Sequence, residues 1–302
     1  MNQPRLPRAA LCALAMALAA CGTAGESGGA HPSIQGSASA EVSFSASPSG
    51  PEPDPANPVG VVAFGHSGLT GEGTGGISES VPPNSWATGS SELVNSVYLR
   101  LTAARPETEG HVANTAEGGA SAFTLPDQAE RALQRVPYPA LAIISTIDND
   151  IRCDGTDDEH IPELGQHVAN TLELITTASP NTQILVVGQL SRPDADFIRE
   201  LVAHDPSVKA ELAGTGMCDF YNPAGELVEE NIETLTDIIE QYEAEQARVC
   251  AEYVNCHTDG GVRAAYVDKL ENFSPDWAHL NIAGQAEEAE IMWPVVEEIL
   301  GL

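Results

Sequence analysis

A serine, an aspartate and a histidine occupy positions in this chain that suit acyl transfer. Ser67 lies in a glycine-flanked segment, where a sharp turn can present its hydroxyl. A serine hydroxyl is a weak nucleophile until a base removes its proton, and His279 can be that base. Asp276 lies three residues before His279, close enough in a tight turn to hold one imidazole nitrogen. We therefore predict a catalytic triad of Ser67, Asp276 and His279.

Acyl transfer also requires hydrogen-bond donors that meet the negative oxygen of the tetrahedral intermediate. Gly119 and Asn149 lie in two further short polar segments of the chain. The backbone N–H groups of Ser67 and Gly119, together with the side-chain amide of Asn149, would supply three donors. Gly118 competes with Gly119 for this role. A purely structural alternative exists for each, because glycine and asparagine also permit or brace turns.

The elements that position these residues alternate between short apolar runs and longer amphipathic segments. Continuous apolar runs predict buried strands, and apolar residues at helical spacing predict helices between them. The predicted strands are 59–64, 111–114, 140–147, 183–188 and 254–257, and the predicted helices are 92–103, 125–136, 163–177, 194–204, 224–252 and 281–300. This alternation predicts a three-layer α/β/α sandwich with a mostly parallel five-stranded sheet. The polar segments follow predicted strands or precede the last helix, and ligands of such sheets bind at the carboxyl ends of the strands.

Four short blocks in this order resemble the SGNH (GDSL-like) hydrolase family, over about residues 58–302. The family is named for a serine, a glycine, an asparagine and a histidine, which correspond here to Ser67, Gly119, Asn149 and His279. The resemblance implies a flavodoxin-like α/β/α fold and hydrolysis of esters through an acyl-serine intermediate. It implies no metal and no organic cofactor. Substrates of the family range from lipids to acetylated glycans, so we expect a small-molecule or glycan ester.

Three positions depart from the usual blocks of that family. His66 replaces the aspartate that usually precedes the nucleophile, and Ile147 stands where the third block usually has glycine. Leu280 follows the histidine, where proline is common. None of these departures removes a triad or oxyanion residue. We expect them to affect local hydrogen bonding and the shape of the pocket.

The N-terminus resembles a bacterial lipoprotein signal. Two arginines precede an apolar run over 9–20, which is too short to span a bilayer and ends in small residues before Cys21. We predict a signal peptide over 1–20, lipidation at Cys21 and a flexible linker over 21–57. The alternative is an ordinary signal peptide that contains a cysteine. The hydrolase domain, 58–302, would then be extracytoplasmic and anchored to the bacterial cell membrane.

The composition is strongly acidic, with 13 Lys and Arg against 44 Asp and Glu and a formal net charge of −31. A polyanion repels phosphate backbones and anionic lipid head groups. Nucleic acid is therefore not expected as a partner, and contact with the membrane is expected only through the lipid anchor.

Four cysteines lie beyond the predicted anchor: Cys153, Cys218, Cys250 and Cys256. In an oxidising compartment four cysteines allow three pairings. Nearness in sequence favours Cys250 with Cys256, which leaves Cys153 with Cys218. No C-x-x-C pair is present, so we predict disulfides and no metal site.

Together these features predict an exported serine esterase acting on carboxylic esters. The alternative is a non-catalytic solute-binding lipoprotein, because an anchor, an acidic surface and an α/β pattern would suit it equally. That alternative leaves the polar segments at the strand ends unexplained. The Gly/Ser/Pro-rich segment 69–90 is long enough for a lid or a binding wall. Trp86 and Trp277 either line a cleft or pack in the interior.

Overall fold

A computed structural model describes residues 54–302. The predicted signal peptide, the lipidation site at Cys21 and the linker up to residue 53 lie outside the described residues. The last four residues of the predicted linker, 54–57, are exposed and form a turn before the first strand. The side-chain amide of Asn181 donates to the carbonyl of Pro55 in this turn, at 2.8 Å.

Five parallel strands form a single sheet in the order β2-β1-β3-β4-β5. The strands are β1 Val61–Gly65, β2 Val112–Asn114, β3 Leu141–Ser145, β4 Gln183–Val187 and β5 Cys256–Thr258. The residues of β1 and β3 are all buried, as continuous apolar runs in a sheet covered on both faces should be. The strand order is flavodoxin-like, with the switch in direction between β1 and β3. The predicted fold class is confirmed.

Helices cover both faces of the sheet. They are α1 Val97–Ala104, α2 Leu125–Arg135, α3 Asp157–Ala178, α4 Ala195–His204, α5 Glu229–Cys250 and α6 Ile282–Leu300. Apolar residues of α2, α3, α4 and α5 pack with one set of alternating strand side chains, such as Val62 and Ile144. Residues of α1 and α6 pack with the opposite set, such as Ala63 and Ile143. The result is the predicted three-layer sandwich.

Several element boundaries differ from the predicted ones, and three of the differences have a local reason. Helix α1 begins at Val97 because the Ser96 hydroxyl caps it, accepting a hydrogen bond from an N–H of the first turn. Helix α3 begins at Asp157, six residues earlier than predicted, and its acidic first turn suits the positive end of the helix dipole. Strand β5 begins two residues later than predicted, because Val254 is fully exposed in a turn.

Both predicted disulfides are present. Cys153 pairs with Cys218, with Cα atoms 5.8 Å apart, and Cys250 pairs with Cys256, with Cα atoms 5.3 Å apart. The first bond joins the loop after β3 to the segment that precedes α5. The second joins the end of α5 to the start of β5. Among residues 54–302, no helix combines the length and apolar character needed to cross a bilayer.

Candidate active site

The nucleophile candidate lies immediately beyond β1, at the switch point of the sheet. Gly65 ends the strand with φ of +141°, and a Cβ there would lie 1.7 Å from the carbonyl oxygen of Ser145. Only glycine fits this approach. Ser67 then opens a short 3-10 turn over Ser67–Leu69 and is 5% exposed. The turn is capped by His66, whose Nδ1 accepts a hydrogen bond from the N–H of Gly68 at 3.1 Å.

The three predicted triad residues meet in space. The Oγ atom of Ser67 lies 3.0 Å from Nε2 of His279. The Nδ1 atom of the same ring lies 3.1 Å from Oδ2 of Asp276. Hydroxyl, imidazole and carboxylate therefore form a continuous hydrogen-bonded series, although Ser67 and His279 are 212 positions apart in sequence.

A tight turn between two bridged residues, Phe273 and Leu280, holds Asp276 and His279 together. Within this turn Oδ1 of Asp276 accepts hydrogen bonds from the N–H groups of Ala278, at 2.9 Å, and His279, at 3.0 Å. Helix α6 begins after the turn and takes Asn281 as its N-cap. The side chains of Asp276 and His279 therefore take no part in capping α6.

The surroundings lower the pKa of Asp276 and raise the pKa of His279. Burial alone would raise the pKa of Asp276. Hydrogen bonds from His279, the Ser274 hydroxyl and the N–H of Ala278 prevail and lower it to about 2. Burial alone would lower the pKa of His279, but the Asp276, Glu72 and Asp148 carboxylates raise it above its ordinary value. The arrangement keeps the aspartate ionised and favours a proton on the imidazole.

The oxyanion candidates lie at the carboxyl ends of β1, β2 and β3. The side-chain amide of Asn149 donates to the carbonyl of Ala120, at 2.9 Å, next to Gly119. The N–H of Glu117 donates to the carbonyl of Gly65, at 3.1 Å, and so ties this turn to the nucleophile strand. Within residues 54–302, the N–H groups of Ser67 and Gly119 donate to no protein atom. Gly119 has φ of +73°, which explains why a glycine stands there.

The Ile147 departure strains the backbone. This fully buried residue has φ of +96°, in the region that favours glycine. The Asp150 carboxylate steadies the turn, accepting hydrogen bonds from the N–H of Ile147, at 3.2 Å, and the hydroxyl of Thr146, at 2.7 Å. A β-branched side chain at such an angle costs on the order of 1–3 kcal/mol. Asn149 is thus presented by a turn that its surroundings hold in place.

Two acidic residues near the triad were not singled out in the sequence. Oε1 of Glu72 lies 3.9 Å from Nε2 of His279, and its side chain is 13% exposed. Oδ2 of Asp148 lies 2.8 Å from Nε2 of His66. The adjacency of Asp148 to Asn149 in the third block was a usable signal for its place in the site. No sequence signal placed Glu72, since its position depends on the path of the 69–90 segment.

A cleft opens beside Ser67 and His279 with a volume of about 150 Å³. Its polar side includes His66, Asp148 and Arg263, and its apolar side includes Ile198 and Phe220. Neither tryptophan considered as a cleft residue lines it. Trp86 is fully buried in the core beneath α1 and α6. Trp277 is partly buried and donates through Nε1 to Asp205, at 3.1 Å.

The part of the chain from 54 to 302 holds no group of three or more His, Cys, Asp or Glu side chains able to bind a metal ion. Acyl transfer through a serine, a histidine and an aspartate uses only these side chains, the oxyanion donors and water.

Solved structures similar to this chain include secreted and carbohydrate-directed hydrolases. The extracellular lipase from Streptomyces rimosus is 17% identical, over 80% of this chain and 99% of that one, with a TM-score of 0.47. Phospholipase A1 from Streptomyces albidoflavus NA297 is 14% identical, over 80% and 99% of the respective chains, with a TM-score of 0.45. An acetyl xylan esterase from the rumen bacterium Butyrivibrio proteoclasticus is 13% identical, over 80% and 64%, with a TM-score of 0.47. No protein-family profile and no curated protein matches the chain.

Proposed function

We propose that this chain is a serine esterase of the SGNH hydrolase type, which cleaves carboxylic esters through an acyl-serine intermediate. The observation that carries this proposal is the series from Ser67 Oγ through His279 to Asp276, with contacts of 3.0 and 3.1 Å. Four sequence blocks in the order of that family support it. The alternative function, a non-catalytic solute-binding protein, does not account for this series. It also does not account for a serine in a capped turn beside a cleft.

In the acylation step the Ser67 oxygen attacks the ester carbonyl carbon while its proton passes to Nε2 of His279. Asp276 stabilises the imidazolium that results. The N–H groups of Ser67 and Gly119 and the free N–H of the Asn149 amide would stabilise the oxyanion. The imidazolium then protonates the leaving alkoxide, which departs as an alcohol and leaves the acyl group on Ser67.

In the deacylation step water takes the place of the serine as the nucleophile. His279 removes a proton from water, and the hydroxide oxygen attacks the acyl-serine carbonyl. Collapse of the second tetrahedral intermediate returns the proton to Ser67 and releases a carboxylic acid. The whole cycle consumes one water for each ester and requires no redox partner.

A fluorophosphonate probe tests the nucleophile directly, because it forms a covalent bond only with an activated serine. We expect wild-type protein to be labelled, Ser67→Ala to be unlabelled and the control Ser90→Ala, an exposed serine outside the site, to be labelled like wild type. Absence of labelling in folded wild type, or undiminished labelling of Ser67→Ala, would refute the esterase and favour the binding protein.

The candidate substrates are acyl or acetyl esters of lipids or glycans. The cleft beside Ser67 is small, with a volume of about 150 Å³, and polar side chains such as His66 and Arg263 line part of it. We therefore propose a preference for short acyl groups. A series of p-nitrophenyl esters from acetate to decanoate tests this, with kcat/KM expected to fall as the acyl chain lengthens. A steady rise with chain length would instead indicate a lipase.

We further propose that the enzyme is exported and anchored through lipidated Cys21. Support comes from the sequence before Cys21, and two disulfides are typical of an oxidising compartment. Metabolic labelling with an alkyne fatty acid in a bacterial host should mark wild type and not Cys21→Ala. A labelled Cys21→Ala protein, or an unlabelled wild type in the membrane fraction, would contradict the anchor.

A further inference from the structure

A second histidine–aspartate pair lies next to the nucleophile and lines the same cleft as His279. His66 directly precedes Ser67 and is 6% exposed. Its Nδ1 lies 3.1 Å from the backbone nitrogen of Gly68. Its Nε2 lies 2.8 Å from Oδ2 of Asp148 and 3.1 Å from Oγ of Ser145.

These contacts fix the protonation of the His66 ring. A backbone N–H only donates, so Nδ1 must be the unprotonated nitrogen that accepts the hydrogen bond from Gly68. The ring is then neutral, and its one proton lies on Nε2. The Nε2 atom that carries this proton lies 2.8 Å from Oδ2 of Asp148, an oxygen that can only accept when ionised, and 3.1 Å from Oγ of Ser145. Asp148 therefore selects the tautomer in which Nδ1 is an acceptor.

The accepting nitrogen is part of the support of the nucleophile. Gly68 is the second residue of the Ser67–Leu69 turn, and its N–H is held by the ring of His66. A Cβ at Gly68 would lie 2.8 Å from Cε1 of His66, so ring and turn are in close contact. A proton on Nδ1 would bring two N–H groups face to face. The turn would have to move, and Ser67 Oγ would move with it relative to His279.

Other charged groups near His66 are already engaged. Arg263, in the loop after β5, pairs with Glu288 of α6 at 2.8 Å. Arg263 also donates to Ser145 Oγ at 3.3 Å. The carboxylate of Asp148 comes from the loop after β3 and is the acidic group at ion-pair distance from Nε2, at 2.8 Å. The pair is therefore formed across two of the strand-end loops that build the site.

We propose that Asp148 is a positioning residue, which holds His66 in the Nε2–H tautomer and thereby fixes the turn that aims Ser67 at His279. The inference rests on the proposed esterase function. It also gives a role to the unusual residue before the nucleophile, because His66 and Asp148 then act together as one unit.

Two substitutions separate the hydrogen bond from the charge. Asp148→Asn retains an oxygen that can accept from Nε2, whereas Asp148→Leu has a similar volume and no acceptor. With p-nitrophenyl acetate we expect kcat of Asp148→Leu to fall at least about tenfold with KM changed less than about threefold. Asp148→Asn should recover most of kcat, and the exposed control Asp158→Leu should match wild type. Asp148→Asn as impaired as Asp148→Leu, or Asp148→Leu as active as wild type, would overturn the proposal.

Nitrogen NMR of histidine-labelled protein reads the tautomer in the wild type itself. The resonance of His66 Nδ1, assigned by its loss in His66→Asn, should have the shift of an unprotonated imidazole nitrogen. A protonated Nδ1 would overturn the positioning role even if the protein hydrolyses esters. Conversely, the expected shift in a protein that fluorophosphonate does not label would leave the tautomer in place and remove the esterase function.

Discussion

The Nε2 atom of His279 lies between two oxygens of different kinds, the hydroxyl of Ser67 at 3.0 Å and the carboxylate of Glu72 at 3.9 Å. The imidazole therefore has a carboxylate near each nitrogen, since Asp276 contacts Nδ1. A Cβ at Gly73 would lie 2.7 Å from Cβ of His279, so the segment that carries Glu72 packs directly on this residue. The start of the 69–90 segment is thus a wall of the candidate active site.

Glu72→Gln should shift the acid limb of the pH–rate profile to lower pH. Burial alone would lower the pKa of His279, but Asp276, Glu72 and Asp148 raise it. A raised pKa means that the inactive imidazolium persists to higher pH, and removing one anion lessens this effect. The profile of kcat/KM for a neutral p-nitrophenyl ester measures the shift. Glu79→Gln, an exposed residue of the same segment, is the matched control. An unchanged or upward shift in Glu72→Gln would show that its carboxylate does not act on His279.

Asp276→Asn should lower kcat by roughly 10³- to 10⁴-fold, the loss typical of a triad whose aspartate no longer stabilises the imidazolium. The hydrogen bonds that lower the pKa of Asp276 to about 2 keep it ionised throughout the working range. Restoring activity by raising the pH should therefore fail, because the lost group is the charge itself. The exposed Asp154→Asn serves as control. A loss below about tenfold would indicate that Asp276 only braces its turn.

The approach of Ser67, Asp276 and His279 to one another was predictable because parallel topology brings strand ends together. Once β1 and β3 are predicted as neighbouring strands, the segments after them must converge, and Asp276 and His279 need only a three-residue turn. The oxyanion candidates came from the same rule together with the family resemblance. The capping of α6 by Asn281 could also be predicted from the local sequence, because the cap depends only on neighbours within the first turn of the helix.

The contacts that tune the site were not predictable, since they join loops that have no periodic pattern. Glu72 reaches His279 only because a glycine-rich segment folds back over the triad, with positive φ at Gly71 and Gly73. Trp86 lies in the core rather than in the cleft because the same segment continues under α1 and α6. A sequence of Gly, Ser and Pro permits many such paths, and tertiary packing chooses among them.

Asp268→Asn should stabilise the protein at pH 8 and leave stability near pH 4 unchanged. Burial raises the pKa of Asp268 to about 6, and Asp194 adds to the effect. A carboxyl whose pKa is raised on folding favours the folded state fully below its unfolded pKa near 4, and this contribution is lost as pH rises past about 6. With allowance for solvent screening, the ionised residue then costs about 2 kcal/mol at pH 8, which corresponds to roughly 5 °C in Tm.

Thermal unfolding of wild type and Asp268→Asn at the two pH values measures this difference. Asparagine can still accept the hydrogen bond that the Ser191 hydroxyl donates at 2.8 Å, so the substitution changes mainly the charge. Asp237→Asn, an exposed residue of α5, controls for the loss of one negative charge from an acidic protein. A gain in Tm that is equal at pH 4 and pH 8 would contradict the buried-carboxylate explanation.

The Cys153–Cys218 disulfide should contribute more stability than Cys250–Cys256. A bond that closes a longer loop removes more entropy from the unfolded chain, and the two bonds span 65 and 6 residues. We expect replacement of both cysteines by serine to cost about 4 kcal/mol for the first pair and about 2 kcal/mol for the second. Urea unfolding of the two double variants measures the difference.

The first pair should also affect activity, because Cys153 belongs to the loop after β3 that carries Asn149. Its N–H and that of Arg152 donate to the carboxylate of Asp157 at 2.9 and 2.8 Å, so the loop retains part of its support without the disulfide. Below the unfolding transition, the Cys153→Ser/Cys218→Ser variant should therefore lose kcat while remaining folded by circular dichroism. The Cys250→Ser/Cys256→Ser variant, whose bond lies at the opposite end of β5 from the site loops, should keep the wild-type kcat. Equal activity in the two variants would mean that the first disulfide serves global stability alone.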